Sequence, residues 1–195
     1  MLMLIVLYGL FQAPLPSVPQ SKATGSIDAE VSVPFADIPG VTINYYEVSG
    51  RDPAAIRRSI NRVRPTDQAD GQRVDGLVAW DYRWRWRDNG EGKCESSLDD
   101  ITFSATVTIP RLNDPKVSPK VREHFNRYLI SLIAHEDGHI RNAWVRRREV
   151  VDAINSAGCA GAASAAESAA RAIAAYDVTF DRETNHGIKT IVPFG

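Results

Sequence analysis

His135, Glu136 and His139 stand in the order His-Glu-x-x-His within Ile133-Ala134-His135-Glu136-Asp137-Gly138-His139-Ile140. On a helix, residues four apart are neighbours with β-carbons ~5 to 6 Å from each other, so two imidazole nitrogens can share one zinc ion at ~2.1 Å. Glu136 lies about 100° further round, where it can reach a water at the metal without taking a ligand position. That suits the general base of zinc-dependent hydrolysis. The chain holds four His, and its composition gives roughly 0.004 chance occurrences of the spacing. The competing reading is a pair of satisfied imidazoles on a half-buried helix face.

The motif needs a helix, and the flanking residues supply one. Ser118 offers a side-chain cap and Pro119 a preset first helical position, and no proline follows until Pro193. A helix is therefore expected from Ser118-Pro119 to about Ser156. Phe125, Leu132, Glu136, Ile140, Ala143 and Val150 fall on one mostly apolar stripe of it. A carboxylate on such a stripe is expensive without a partner, which favours a metal-bound water or a substrate beside Glu136. Gly138 costs the helix interior ~1 kcal/mol relative to Ala. It stands on the side of His135, where a missing β-carbon would let another backbone segment approach; a merely tolerated glycine fits equally well.

Strands must support this helix. Ser26 to Phe35 and Val41 to Val48 read as strands around the turn Ile38-Pro39-Gly40. Asp52-Pro53 opens a short helix to about Val63, and Thr66 to Gly76 is a polar loop. Trp80, Tyr82, Trp84 and Trp86 alternate with Asp81, Arg83, Arg85 and Arg87, so one face of that strand is aromatic core and the other charged. Asp88 to Gly92 turns a hairpin into the segment carrying Cys94. Ile101 to Pro110 is a strand with Ile101, Phe103, Ala105, Val107 and Ile109 inward. After Cys159, Ala160 to Ala175 is an alanine-rich second helix. The tail from Tyr176 carries Asp177, Asp181, Glu183 and His186. An antiparallel sheet packed against the long motif helix and a second C-terminal helix is an α+β arrangement of zincin-like layout.

The third metal ligand is expected to be His186, because His124 lies eleven residues before His135, ~16 Å away along the same helix. Asp181 and Glu167 are alternative ligands, and Glu149 is excluded by distance along the helix. Tyr176 or His186 could donate a hydrogen bond to the charge developing on a substrate carbonyl.

A 195-residue chain with 44% apolar and 24% charged residues supports one good core, read here as a single domain over 26–195. Net charge -1 says little by itself, but no long basic run suggests nucleic acid, and Arg146-Arg147-Arg148 is a small cluster on the motif helix that reads as a solvated turn. Residues 1–23 begin with an apolar run too short to span a bilayer, followed by a Pro/Ser/Gln-rich stretch, as in a signal peptide. No Lys or Arg precedes that run. Removal of the leader would leave no stable membrane insertion and a secreted or periplasmic protein. In such a compartment Cys94 and Cys159 are expected to form a disulfide closing a 65-residue span.

The chain resembles a bacterial family described as predicted secreted zinc-dependent proteases, of largely unknown function. The resemblance rests on Tyr45-Tyr46-x-Val48-x-Gly50, the aromatic strand before Cys94, the HEDGH segment at 135–139 and Asp181-x-Glu183-Thr184-x-His186-Gly187. It does not extend to the HExxHxxGxxH proteases, since Asn142 and Val145 stand where those need Gly and His. The resulting expectation is an exported Zn2+-dependent hydrolase acting on a peptide or protein substrate, with Glu136 as general base. The alternatives are an amidase acting on cell-wall peptides and a non-enzymatic envelope module with a structural or vestigial metal site. A catalytic zinc keeps an open position beside three protein ligands, whereas a structural one has four.

Overall fold

The computed structural model describes residues 33–195. The expected leader at 1–23 and most of the strand expected over Ser26–Phe35 lie outside the described residues, and residues 34–35 form a turn. Strand β1 (Val41–Val48) follows, with burial alternating from Val41 to Tyr45 as its period-two sequence requires and Tyr46 half-buried as well. Helix α1 (Pro53–Val63) starts where Asp52 accepts a hydrogen bond from the Ala55 backbone N–H at 2.8 Å, with Pro53 in the first turn. It ends at Arg64, because a residue before proline is driven out of the helical region. Its Ile56 and Ile60, one turn apart, are fully buried; truncating either to Ala should cost roughly 2 to 5 kcal/mol.

Strand β2 (Leu77–Trp84) turns Tyr82 into the core with Trp80 and Trp84 packed beside it, while Asp81 and Arg83 face solvent. The short strands β3 (Arg87–Asp88) and β4 (Cys94–Glu95) make the expected hairpin. After a 3-10 turn at Leu98–Asp100 comes β5 (Ile101–Leu112), whose Ile101, Phe103, Ala105, Val107 and Ile109 are all buried.

The sheet order is β1-β5-β2, with β5 in the middle. β2 pairs with β5 antiparallel, Tyr82 opposite Phe103, but β1 pairs with it parallel, Ile43 opposite Val107. The α+β class holds, and the sheet is mixed rather than wholly antiparallel. Parallel neighbours need a long crossover, which α1, β2 and the hairpin provide between β1 and β5.

Helix α2 (Pro119–Thr184) opens with Ser118 accepting from the Val121 N–H. Its helical geometry is broken at one residue, Gly158, with φ 65° and ψ 166°. Arm 119–157 and arm 159–184 therefore double back on each other, and Ala162, Ala166 and Ile173 of the second arm are buried where small side chains permit close approach. The second arm continues past Ala175 to Thr184 because its later residues meet partners on the first arm. Several contacts hold the pivot. Cys94 and Cys159 form the expected disulfide with Cα atoms 4.8 Å apart, Cys159 N–H donates to Gly92 O at 3.2 Å, and Ser96 and Asn155 exchange hydrogen bonds of 2.7 and 3.1 Å. No described helix is long and apolar enough to cross a membrane.

Candidate metal centre

His135 and His139 lie on the inner side of the first arm, each only 6% exposed. Phe180 of the second arm fills the space over them, stacked on His135 at 4.9 Å between ring centroids and edge-on to His139 at 5.0 Å. Gly138 makes this possible, since a β-carbon there would come within 3.0 Å of the Phe180 ring. The expected close approach at Gly138 thus takes place through an aromatic side chain rather than a backbone.

One carboxylate oxygen faces both imidazoles. Asp181 Oδ1 lies 3.3 Å from His135 Nε2 and 3.2 Å from His139 Nε2. A tetrahedral ion with bonds of ~2.0 to 2.1 Å needs donor separations of about 3.4 Å, so each nitrogen–oxygen pair stands near that spacing, and the three atoms lie within 4.8 Å of one another. The other side of His139 is held as well: Nδ1 lies 3.1 Å from Asp177 Oδ1, and Asp177 Oδ2 accepts a 2.7 Å hydrogen bond from Trp80 Nε1. A carboxylate on the far nitrogen of an imidazole fixes the ring and strengthens it as a ligand. Burial disfavours the charged form of His139, but its hydrogen bonds to Asp177 and Asp181 and the charge of Glu136 outweigh that and raise its pKa to about 10. Burial likewise opposes ionisation of Asp181, yet the two imidazoles hold it well below the usual carboxylate range. The His135 Nδ1 is buried without a hydrogen-bond partner among the described residues.

Glu136 is 3% exposed and stands outside this donor set, its carboxyl making no direct hydrogen bond or ion pair among the described residues. Burial pushes its pKa up to about 8; His139 pulls it down, and Asp181 and Asp67 push it further up. Gly76, just before β2, leaves the room its carboxylate occupies, because a β-carbon there would overlap Glu136 Oε1. The neighbouring Asp75 pins this loop. Its carboxylate accepts from Arg57 Nη1 at 2.5 Å, Arg64 Nη1 at 3.1 Å and Tyr128 Oη at 2.8 Å, and its backbone carbonyl accepts from Tyr46 Oη at 2.7 Å.

The remaining expected residues fall elsewhere. His186, the expected third ligand, does not cluster with both imidazoles; Asp181, one of the expected alternatives, is the residue that does. His186 follows the helix end in a left-handed turn (φ 48°), with Nε2 3.0 Å from Asp70 Oδ2 and Nδ1 4.0 Å from Asp181 Oδ2. Glu167 pairs with Arg171 at 3.6 Å and joins no group of potential ligands among the described residues. Tyr176 is 39% exposed and stacks on Phe180 at 5.8 Å, one ring removed from His135. His124 Nε2 lies 3.1 Å from Pro193 O, away from the site. Sequence reasoning missed the roles of Asp177, Trp80, Asp75 and Gly76. A usable signal existed in Asp177 and Asp181, which repeat on the second arm the four-residue spacing of His135 and His139.

The profile of a family described as bacterial protein of unknown function (DUF922) matches residues 43–187. The chain belongs to this family. The match runs from β1 to the turn after α2, so it takes in both arms, the donor set and His186. The family's description assigns no activity. No curated protein and no solved structure matches the chain.

Proposed function

We propose that this chain is an exported zinc-dependent hydrolase whose substrates are peptides. The observation that carries the reading is the convergence of His135 Nε2 and His139 Nε2 on Asp181 Oδ1, with the carboxyl of Glu136 buried nearby and outside the donor set. His135, His139 and Asp181 would hold the ion. When bound, zinc supplies Lewis acidity that activates a water near neutral pH and polarises a carbonyl.

The chain's own groups then divide the work. Glu136, carboxylate form, takes a proton from the attacking water and returns it to the leaving amine. Its buried setting keeps its proton affinity high for a carboxylate, which suits a group that must first accept and then donate. Asp177 and Trp80 hold His139 in its ligating orientation. A cavity of about 200 Å³ lined by Ser131, Ala134, His135, Phe180 and Thr190 offers a recess for a substrate side chain beside the site. The leader-like first residues support an exported location.

The test is elemental analysis of the purified protein combined with a peptide-library digest. Stoichiometric zinc with metal-dependent cleavage is expected. A fully zinc-loaded protein that cleaves no peptide would favour the non-enzymatic module.

A further inference from the structure

Asp181 has a second carboxylate oxygen, and it points away from the two helix imidazoles toward another set of donors. Asp67, Asp181 and His186 each offer one ligand atom, and these atoms lie within 4.8 Å of one another. His186 Nδ1 stands 4.0 Å from Asp181 Oδ2, too far for a hydrogen bond between them. The far nitrogen, Nε2, is 3.0 Å from Asp70 Oδ2. This repeats the arrangement at His139, where an outer carboxylate, Asp177, holds one nitrogen and leaves the other facing the donor group.

Charge points the same way. Asp67, Asp70 and Asp181 bring three carboxylates around one imidazole, and none of them ion-pairs with a Lys or Arg among the described residues. The side chains of His186 and Asp181 are only 18% and 19% exposed, so solvent screens this excess incompletely. Asp67 is held in place by the loop itself, with its backbone N–H on Gln72 O at 2.8 Å and its carbonyl accepting from Gly71 N–H at 2.9 Å.

We propose a second divalent-cation site formed by Asp67, Asp181 and His186, with Asp181 bridging it to the His135/His139 centre through its two oxygens. One nitrogen and two carboxylate donors suit Zn2+ or Mn2+ better than a purely oxygen-seeking ion. The inference shares Asp181 with the centre proposed above but depends on separate residues, so the two can fail independently.

The experiment measures metal stoichiometry of the full chain by equilibrium dialysis against Zn2+ followed by elemental analysis, with Mn2+ in a parallel arm. The parent should bind two ions per chain. D67N and H186A should each bind one, and the double variant H135A/H139A should keep the one that H186A removes. In the parent loaded with Co2+, the two ions should couple magnetically, and D67N should abolish the coupling while circular dichroism shows an intact fold. A parent that binds one ion, unaffected by D67N and H186A, overturns the proposal and leaves the first centre standing. A parent whose single ion survives H135A/H139A but not H186A would instead remove the first centre and keep the second.

Discussion

Trp80 Nε1 donates a 2.7 Å hydrogen bond to Asp177 Oδ2, tying the aromatic strand β2 to the carboxylate behind His139. The same side chain that packs the sheet thus also holds, through Asp177, the ring of His139, a metal ligand in the function proposed above. Replacing Asp177 by Asn removes the charge that strengthens the imidazole, so zinc affinity should fall ~10- to 100-fold. Trp80→Phe keeps most of the packing and loses only the outer hydrogen bond, so its effect should be smaller. Competition with a chromophoric chelator measures both, and unchanged affinity in Asp177→Asn would refute the orienting role.

Glu136→Gln keeps the side-chain volume and leaves His135, His139 and Asp181 untouched. Peptide hydrolysis should fall ~10²- to 10⁴-fold at unchanged zinc content. His135→Ala should lose both metal and activity. A Glu136→Gln protein as active as its parent would sink the mechanism.

Gly76→Ala probes the same carboxylate from the opposite side. The added β-carbon would occupy the position of Glu136 Oε1 and approach Leu132 Cδ1 to 3.0 Å, forcing the carboxylate to move. Turnover should drop at least tenfold, a loss of ~1.4 kcal/mol of transition-state stabilisation, while metal content stays constant. Full turnover would mean that the position of Glu136 has no catalytic importance.

The Cys94–Cys159 disulfide joins residues 65 apart in the chain. The chain-entropy account puts its contribution at about 4 kcal/mol. Cys94→Ser with Cys159→Ser should lower the denaturation midpoint accordingly. Alkylation without reductant should label neither cysteine of the unfolded, oxidised parent, and labelling of both would contradict the bond.

Asp75 makes stability depend on acid pH. Burial opposes its ionisation, but hydrogen bonds and charge from Arg57, Tyr128 and Arg64 outweigh that and lower its pKa from the ordinary 3.8. Its stabilisation is therefore complete above the unfolded-state value and lost as pH falls through the lower folded-state value. Asp75→Asn should cost roughly 2 kcal/mol at neutral pH and flatten the acid side of the stability curve below about pH 5. Urea midpoints across that range decide it; a variant with the parent's full acid sensitivity would show that other groups cause it.

Local spacing made much of this molecule legible. His135, Glu136 and His139 are set by helix geometry alone, Asp52-Pro53 marks a helix start, and the alternation from Trp80 to Trp86 shows which face packs inward. The direction of β1 against β5 was not legible, because period-two alternation is the same for parallel and antiparallel neighbours. The place of Asp181 depends on how residues 46 apart meet, and that is decided by a fold-back at one glycine. His186 looked stronger on residue type, yet it lies five residues beyond Asp181 and past the helix end, where it faces Asp70.

The fold-back at Gly158 makes the two arms a pair of matched rulers. His139 and Asp177 each lie 19 residues from it, and His135 and Asp181 each lie 23. Adding a single residue between Gly158 and Asp177 would rotate both carboxylates about 100° away from their imidazoles and shift them ~1.5 Å along the axis. In this chain, lengthening one arm would therefore have to be matched by lengthening the other to keep these pairs in register. Insertions that spare the centre belong instead in the tip of the β3–β4 hairpin, where Gly90 has open space around it.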